Sequence, residues 1–196
     1  MFRAVIYSQQ RMRSRGAATI EDLYKVKGKA ELVNGRIVHL QPFGVCRGHA
    51  AQEITMSLRL YEKATRRGYA IGGNVGFVVD LPHRKSFCPD AAFYTGEMTM
   101  KFGDGAPTFA VEVRTESDYG HGAELQMAAK RADYFAAGTL VVWDVDLLSE
   151  NVVRVYRASA PTNAVTYRRG EVAEAEPAVP GWTMAVEELF PEDHES

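Results

Sequence analysis

Asp90 follows Pro89 inside a run of strand-forming residues, 87–94. A carboxylate among apolar strand residues is costly to bury without a partner, so it calls for a cation. Further along, Phe109-Ala110-Val111-Glu112-Val113-Arg114 alternates. Side chains in a strand repeat every two residues, so Phe109, Val111 and Val113 share one face and Ala110, Glu112 and Arg114 the other. Lys130 comes later, with Tyr134 one helical turn on. Carboxylates from two adjacent strands suit Mg²⁺, a hard ion that prefers oxygen and keeps several waters. A nearby cation can orient a water or neutralise charge on a phosphate. The same residues also fit a purely structural arrangement, an Asp90–Arg114 or Glu112–Arg114 ion pair holding two strands in register. Spacing alone favours neither.

Both arrangements need strands and helices in the right order. Thr19-Ile20-Glu21-Asp22 has the form of a capping box and predicts a short helix ending near residue 24 or 25. Glu31-Leu32-Val33-Asn34-Gly35-Arg36-Ile37-Val38 predicts a hairpin, since Asn-Gly supplies the positive φ angles of a two-residue turn. A helix is predicted over 48–67, with Ile54, Leu58 and Tyr61 along one stripe and Gly68 ending it. Strands are predicted over 69–72, 76–81, 87–94, 109–114 and 140–145, and a terminal β pair over 152–157 and 165–168. A second helix is predicted over 122–137. Its apparent core stripe, Leu125, Ala128, Ala129, Ala132 and Ala136, leaves Lys130 nearly opposite. A last helical turn is predicted over 186–190. This order predicts an α/β (α+β) fold with a mixed sheet and a helix against each side.

The 196 residues suit one domain, expected over 19–196 behind an irregular arm over 1–18. The apolar share of 46% and charged share of 24% are ordinary for a globular chain, and no run is long enough to span a membrane. No secretory signal is recognisable at the start, so a cytoplasmic setting is expected. No dinucleotide-binding or phosphate-loop glycine motif is present. Cys46 and Cys88 are too few and too far apart for a zinc or redox site and are expected to be reduced and mostly buried. Residues 1–90 hold 15 Lys and Arg against 7 Asp and Glu, net +8; residues 91–196 hold 8 against 18, net −10. The basic clusters Arg11/Arg13/Arg15, Lys25/Lys27/Lys29 and Lys63/Arg66/Arg67 fit either a phosphate-facing surface or plain solvated faces.

The chain resembles the PD-(D/E)XK nucleases in Pro89-Asp90 and Glu112-Val113-Arg114, and more narrowly the Uma2 family of restriction-endonuclease-like proteins. The hairpin Glu31–Val38 segment, His49, Pro89-Asp90-Ala91-Ala92-Phe93, Val111-Glu112-Val113-Arg114-Thr115, Ser117-Asp118, Lys130, Tyr134, Ala136-Ala137-Gly138 and Val142-Trp143-Asp144-Val145-Asp146 carry the likeness, over about residues 19–158. It implies a restriction-endonuclease-like fold with Asp90 and Glu112 as Mg²⁺ (or Mn²⁺) ligands. It also implies Glu31 as a third acid near the site, at an exposed strand end, unless it is simply a surface residue. Lys130, or Arg114 in its stead, would position the nucleophile or offset charge, and His49 would assist. The implied substrate is nucleic acid, with DNA first. Two departures stand out: Arg114 occupies the signature's lysine position and cannot act as a base, and Thr115-Glu116 replaces the family's Ser-Pro, adding a charge that repels phosphate. They motivate an alternative, a catalytically degenerate nuclease-like module that binds nucleic acid or protein, for which a homodimer is one form. A hydrolase of small phosphate esters is a third. His39, His83, His121 and His194 have no partner at ligand spacing and read as surface residues. Tyr94, Tyr134, Trp143 and Trp182 could stack bases, but their spacing fits core packing better.

Overall fold

The computed structural model describes residues 16–42 and 44–191; most of the expected N-terminal arm, with Arg11, Arg13 and Arg15, and also His194 lie outside the described residues. The elements in chain order are α1 (Ile20–Leu23), β1 (Ala30–Val33), β2 (Arg36–His39), α2 (Val45–Thr65), β3 (Tyr69–Gly72), β4 (Phe77–Val78), β5 (Ser86–Phe87), β6 (Ala91–Tyr94), β7 (Gly103–Asp104), β8 (Phe109–Val113), α3 (His121–Ala136), β9 (Val141–Asp146), β10 (Val152–Arg157), β11 (Ala160–Arg168), β12 (Val172–Glu174), β13 (Thr183–Ala185) and a 3₁₀ turn (Val186–Leu189). Thr19 caps α1 reciprocally with Asp22. Asn34 and Gly35, at φ 51° and 66°, turn the β1–β2 hairpin.

The main sheet has the order β11-β10-β9-β8-β6-β3. All its pairings are antiparallel except β8–β9, so the sheet is mixed. A parallel pair needs a crossover, and α3 supplies it. The odd-numbered residues of the central strands, Phe109, Val111, Val113, Val141, Trp143 and Val145, face the main core. Helix α2 covers them with Ala50, Ile54 and Leu58, and Trp182, Met184 and Leu189 close the same core. Full burial of Ile54 and Leu58 contributes about 1.5–3 kcal/mol each. Arg66, in the left-handed region at φ 54°, caps the end of α2, two residues before Gly68.

The opposite, even-numbered face is polar. It presents Ala110, Glu112, Val142 and Asp144, and α3 lies over it with Tyr134 packed on Ala110, Val142 and Phe87. Here the expected helix stripe is inverted. Leu125 is 59% exposed and the alanines at 128, 129, 132 and 136 face outward, whereas Lys130, Arg131 and Tyr134 turn to the sheet. Leaving Glu112 and Asp144 without cations under a helix would cost far more than exposing a few alanine methyls. Other differences are smaller. Helix α2 starts at Val45 rather than 48, and β11 extends back to Ala160 along β10 instead of starting at 165. Cys88 is buried as expected, but Cys46 is exposed. No helix among the described residues is long and apolar enough to cross a membrane.

Candidate active site

Three carboxylates arrive from three strand regions at one end of the polar face. Glu31 comes from β1, where the hairpin register and a hydrogen bond from the Leu32 N–H to Ser86 Oγ (2.8 Å) hold the strand against β5. Expected to be exposed at a strand end, Glu31 is instead buried, 4% accessible. Its Oε2 accepts from Arg84 Nη1 at 2.5 Å, and its Oε1 accepts from the Cys88 N–H at 3.0 Å and pairs with Lys130 Nζ at 3.0 Å. Burial alone would raise its pKa, but the Lys130 and Arg84 charges outweigh it and hold the carboxyl below its ordinary value. Burial pushes the neighbouring Cys88 thiol up to about 11, so it stays a thiol.

Asp90 leads into β6 and is fully buried. Its Oδ1 accepts from Lys29 Nζ (2.7 Å) and Arg47 Nη2 (3.0 Å). Its Oδ2 accepts from Arg47 Nη2 (2.8 Å) and Nε (3.1 Å) and from the Val113 N–H (2.8 Å). Burial opposes the ionised form, but Lys29 and Arg47 prevail and the pKa is lowered. Of the Lys25/Lys27/Lys29 cluster, then, Lys29 points inward.

Glu112 projects from β8 beside the Val113 amide that binds Asp90. Its Oε1 accepts from the Tyr134 hydroxyl (2.7 Å) and pairs with Lys130 Nζ (2.8 Å). Lys130 thus bridges Glu31 and Glu112. Burial works against its ammonium, yet the two carboxylates outweigh that and raise its pKa. Glu112 shifts the other way. Burial raises its pKa, Lys130 offsets only part of that, and the charges of Asp90 and Glu31 add to the rise. These groups, Asp90 apart, line a cleft of about 720 Å³ that runs past Lys29, Arg47, Arg84, Arg114, Thr115, Asp118 and Asp133.

Arg114 is held elsewhere. Its Nε and Nη2 bind both oxygens of Asp144 at 2.7 and 2.8 Å, and it also binds Glu124, reaches the Asp118 carbonyl at 3.4 Å and lies over the Tyr119 ring. Glu112 and Asp144 are register partners on β8 and β9, so a cation beside both strands meets whichever acid lies nearer its fork. Neither expected pair, Asp90–Arg114 or Glu112–Arg114, is the one formed. Arg131 of α3 also reaches Asp144, at 3.3 Å, and lies over the Tyr156 ring. His49 lies one turn inside α2 and is half-buried, and its ring makes no hydrogen bond among the described residues. His83, expected to have no partner, bonds Asp133 at 2.7 Å and is half-exposed. Tyr94, Tyr134, Trp143 and Trp182 are buried, as core spacing predicted.

Residues 18–187 match the Uma2 family, described as "Putative restriction endonuclease". The chain belongs to the Uma2 family. A crystal structure from Anabaena variabilis, of a protein described as a putative nuclease belonging to DUF820, has the same fold at 15% identity, with a TM-score of 0.68 over 88% of this chain and 97% of that one. The Uma2 chain therefore has a restriction-endonuclease-like fold. Comparison with curated proteins gives no match.

Nucleases of this fold generally use a divalent metal. Among the described residues, no three His, Cys, Asp or Glu side chains are grouped so as to hold an ion by themselves. Mg²⁺ asks for less, often one or two carboxylates with water and substrate phosphate completing its shell. Burial is the main cause of the raised pKa of Glu112, and the charges of Asp90 and Glu31 add to it, so a cation beside this carboxylate would favour its ionised form. Asp90 and Glu112 supply the hard oxygens that such an ion takes.

Sequence reasoning did not find Lys29, Arg47, Arg84 or the Tyr134 hydroxyl as site groups. Lys29 lies one residue before β1, in the bend that leads into it, where strand alternation does not apply. Arg84 and Arg47 gave no local signal, since their partners lie 53 and 43 residues away in the chain.

Proposed function

We propose that this Uma2 chain hydrolyses phosphodiester bonds of nucleic acid, with DNA as the substrate and a divalent ion, Mg²⁺ or Mn²⁺, held by Asp90 and Glu112. The observation that carries the reading is the convergence of Glu31 and Glu112 on Lys130 at the wall of an open cleft, with Asp90 buried behind it and tied to the β8 backbone next to Glu112 through the Val113 N–H. A bound divalent ion supplies a more acidic water and polarises the scissile phosphate. Lys130 Nζ, kept protonated between two carboxylates, serves as a donor and fixed charge rather than as a base. It offsets negative charge growing on the phosphate. The Tyr134 hydroxyl and Lys130 together fix the rotamer of Glu112. Glu31 holds Lys130 in place, and Arg84, braced by Asp133 at 2.8 Å, holds Glu31. Arg114 belongs to the framework in this reading, and His49 has no assigned step. The basic half of the chain gives backbone binding that weakens with salt.

The test is plasmid nicking in Mg²⁺ or Mn²⁺. Asp90→Ala and Glu112→Ala are expected to fall to background, and Lys130→Gln to lose about 10²-fold or more. Equal nicking by wild type and both alanine variants would mean that the activity comes from a contaminant. A second reading, a module that binds nucleic acid without cutting it, is favoured by one observation, the complete enclosure of Asp90. Salt-sensitive oligonucleotide binding with no nicking and no Mn²⁺ uptake would establish it instead.

A further inference from the structure

We propose that Arg47 and Lys29 form a resident counter-cation lock on Asp90, which a divalent ion has to displace, with Arg47 the member that moves. This rests on the reading of Asp90 and Glu112 as the ion's ligands. A carboxylate offers about four lone-pair directions in all. Asp90 already receives Lys29 Nζ, Arg47 Nε and Nη2, and the Val113 N–H within 3.1 Å. An ion needs the same lone pairs, so its coordination and the fork of Arg47 exclude each other.

Arg47 and Lys29 are not equivalent. Lys29 is the more enclosed, 9% exposed against 17% for Arg47, and also reaches the Pro89 carbonyl at 3.3 Å. It stands two residues before Glu31, at the mouth of a paired strand. Arg47 reaches Asp90 from the first turn of α2, and its long side chain lines the cleft. This side chain is carried by a helix turn at the cleft wall rather than by a residue next to a paired strand. Glu112 differs from Asp90 as well. The contacts from Tyr134 and Lys130 both fall on Oε1, and its side chain is open to the cleft, 19% exposed. The two carboxylates are thus one open ligand and one locked ligand. The work of freeing Asp90 is subtracted from the free energy of ion binding, which lowers the apparent affinity of the wild-type chain.

The experiment measures Mn²⁺ binding to the full chain by electron paramagnetic resonance of free Mn²⁺ and by calorimetry. Wild type, Arg47→Met, Arg47→Gln and Asp90→Asn are compared. Arg47→Gln keeps an N–H donor for Asp90 without the charge, and covers the case in which the methionine variant folds poorly. Both Arg47 variants are expected to bind Mn²⁺ at least tenfold more tightly than wild type. Mn²⁺ is also expected to raise their Tm by more than it raises that of wild type. Asp90→Asn is expected to lose the site. If wild type binds Mn²⁺ through Asp90 and the folded Arg47 variants bind no more tightly, the lock is overturned while the proposed function stands. If Asp90→Asn binds as wild type does, or no protein binds, the metal site itself is overturned and the lock with it.

Discussion

The two faces of the main sheet are held by different physics, although the same strands build both. On the odd-numbered face, α2 meets Phe109, Val111, Val113, Trp143 and Val145 through alanine, isoleucine and leucine. On the even-numbered face, α3 meets Glu112 and Asp144 through Lys130, Arg131 and Tyr134. The first is non-directional and proportional to area. The second depends on each charge finding its partner, because a buried charge that loses one is heavily penalised. A sheet with one apolar face and one ionic face can keep its stability on the first and its chemistry on the second.

The largest expected effect breaks the ionic side. Asp144→Ala removes the buried carboxylate that Arg114 and Arg131 share, leaving Arg114 to Glu124, and is expected to cost about 3–5 kcal/mol in denaturant unfolding. Leu58→Ala on the apolar side is expected to cost about 2–5 kcal/mol. The two faces separate in the double change Arg114→Met with Asp144→Leu, which should recover the share of the Asp144→Ala loss that comes from Arg114, since a well-packed apolar pair can replace a buried ionic one, while Arg131 stays without Asp144. No second substitution nearby restores Leu58→Ala in that way. If the double change is as damaging as the single one, the ionic face depends on the Arg114–Asp144 pair itself and not on filling its space.

Glu112→Gln gives a smaller effect of unusual sign. The folded state raises the pKa of Glu112, so its ionised form costs stability at neutral pH. Relative to the variant, wild type is expected to lose stability in thermal melts as pH rises from below 4.5, the ordinary value, where the carboxyl is protonated in both states, through the raised value of the folded chain. Asp90 and Glu31, with lowered pKa values, behave oppositely. Their contribution is present above the ordinary carboxylate range and is lost as pH falls through their depressed values. Hydrogen exchange at low pH should therefore rise first where these acids hold their cations, around Lys130 on α3 and around Arg47 in the first turn of α2. The smallest effect is Leu125→Ala, within about 0.5 kcal/mol, because this leucine is mostly exposed.

That last variant also marks where the sequence could be read and where it could not. The hairpin was legible because Asn34-Gly35 has few other uses, and the alternation through Glu112 was legible because a strand has only two sides. Those signals are local. The orientation of α3 was not legible, because its alanines and leucine make a better apolar stripe than the face that packs. What decides the rotation is the charge on β8 and β9, outside the helix. The convergence of Glu31, Asp90, Glu112 and Lys130 followed from family likeness, and their cationic partners Arg47 and Arg84 followed from neither pattern nor likeness. A side chain that acts across more than forty residues leaves no periodicity behind.

The parallel pairing of β8 with β9 carries a consequence for synthesis. Phe109 pairs beside Val141, and the whole of α3 must emerge before they can meet. Until then the inner edge of β8 presents unpaired N–H and C=O groups next to Phe109, Val111 and Val113, a template for another nascent chain. Contacts this distant along the chain close slowly. The central seam of the molecule is thus its most exposed part on the ribosome, and chaperone dependence or truncation products ending before residue 141 should reveal it as the point from which aggregates grow.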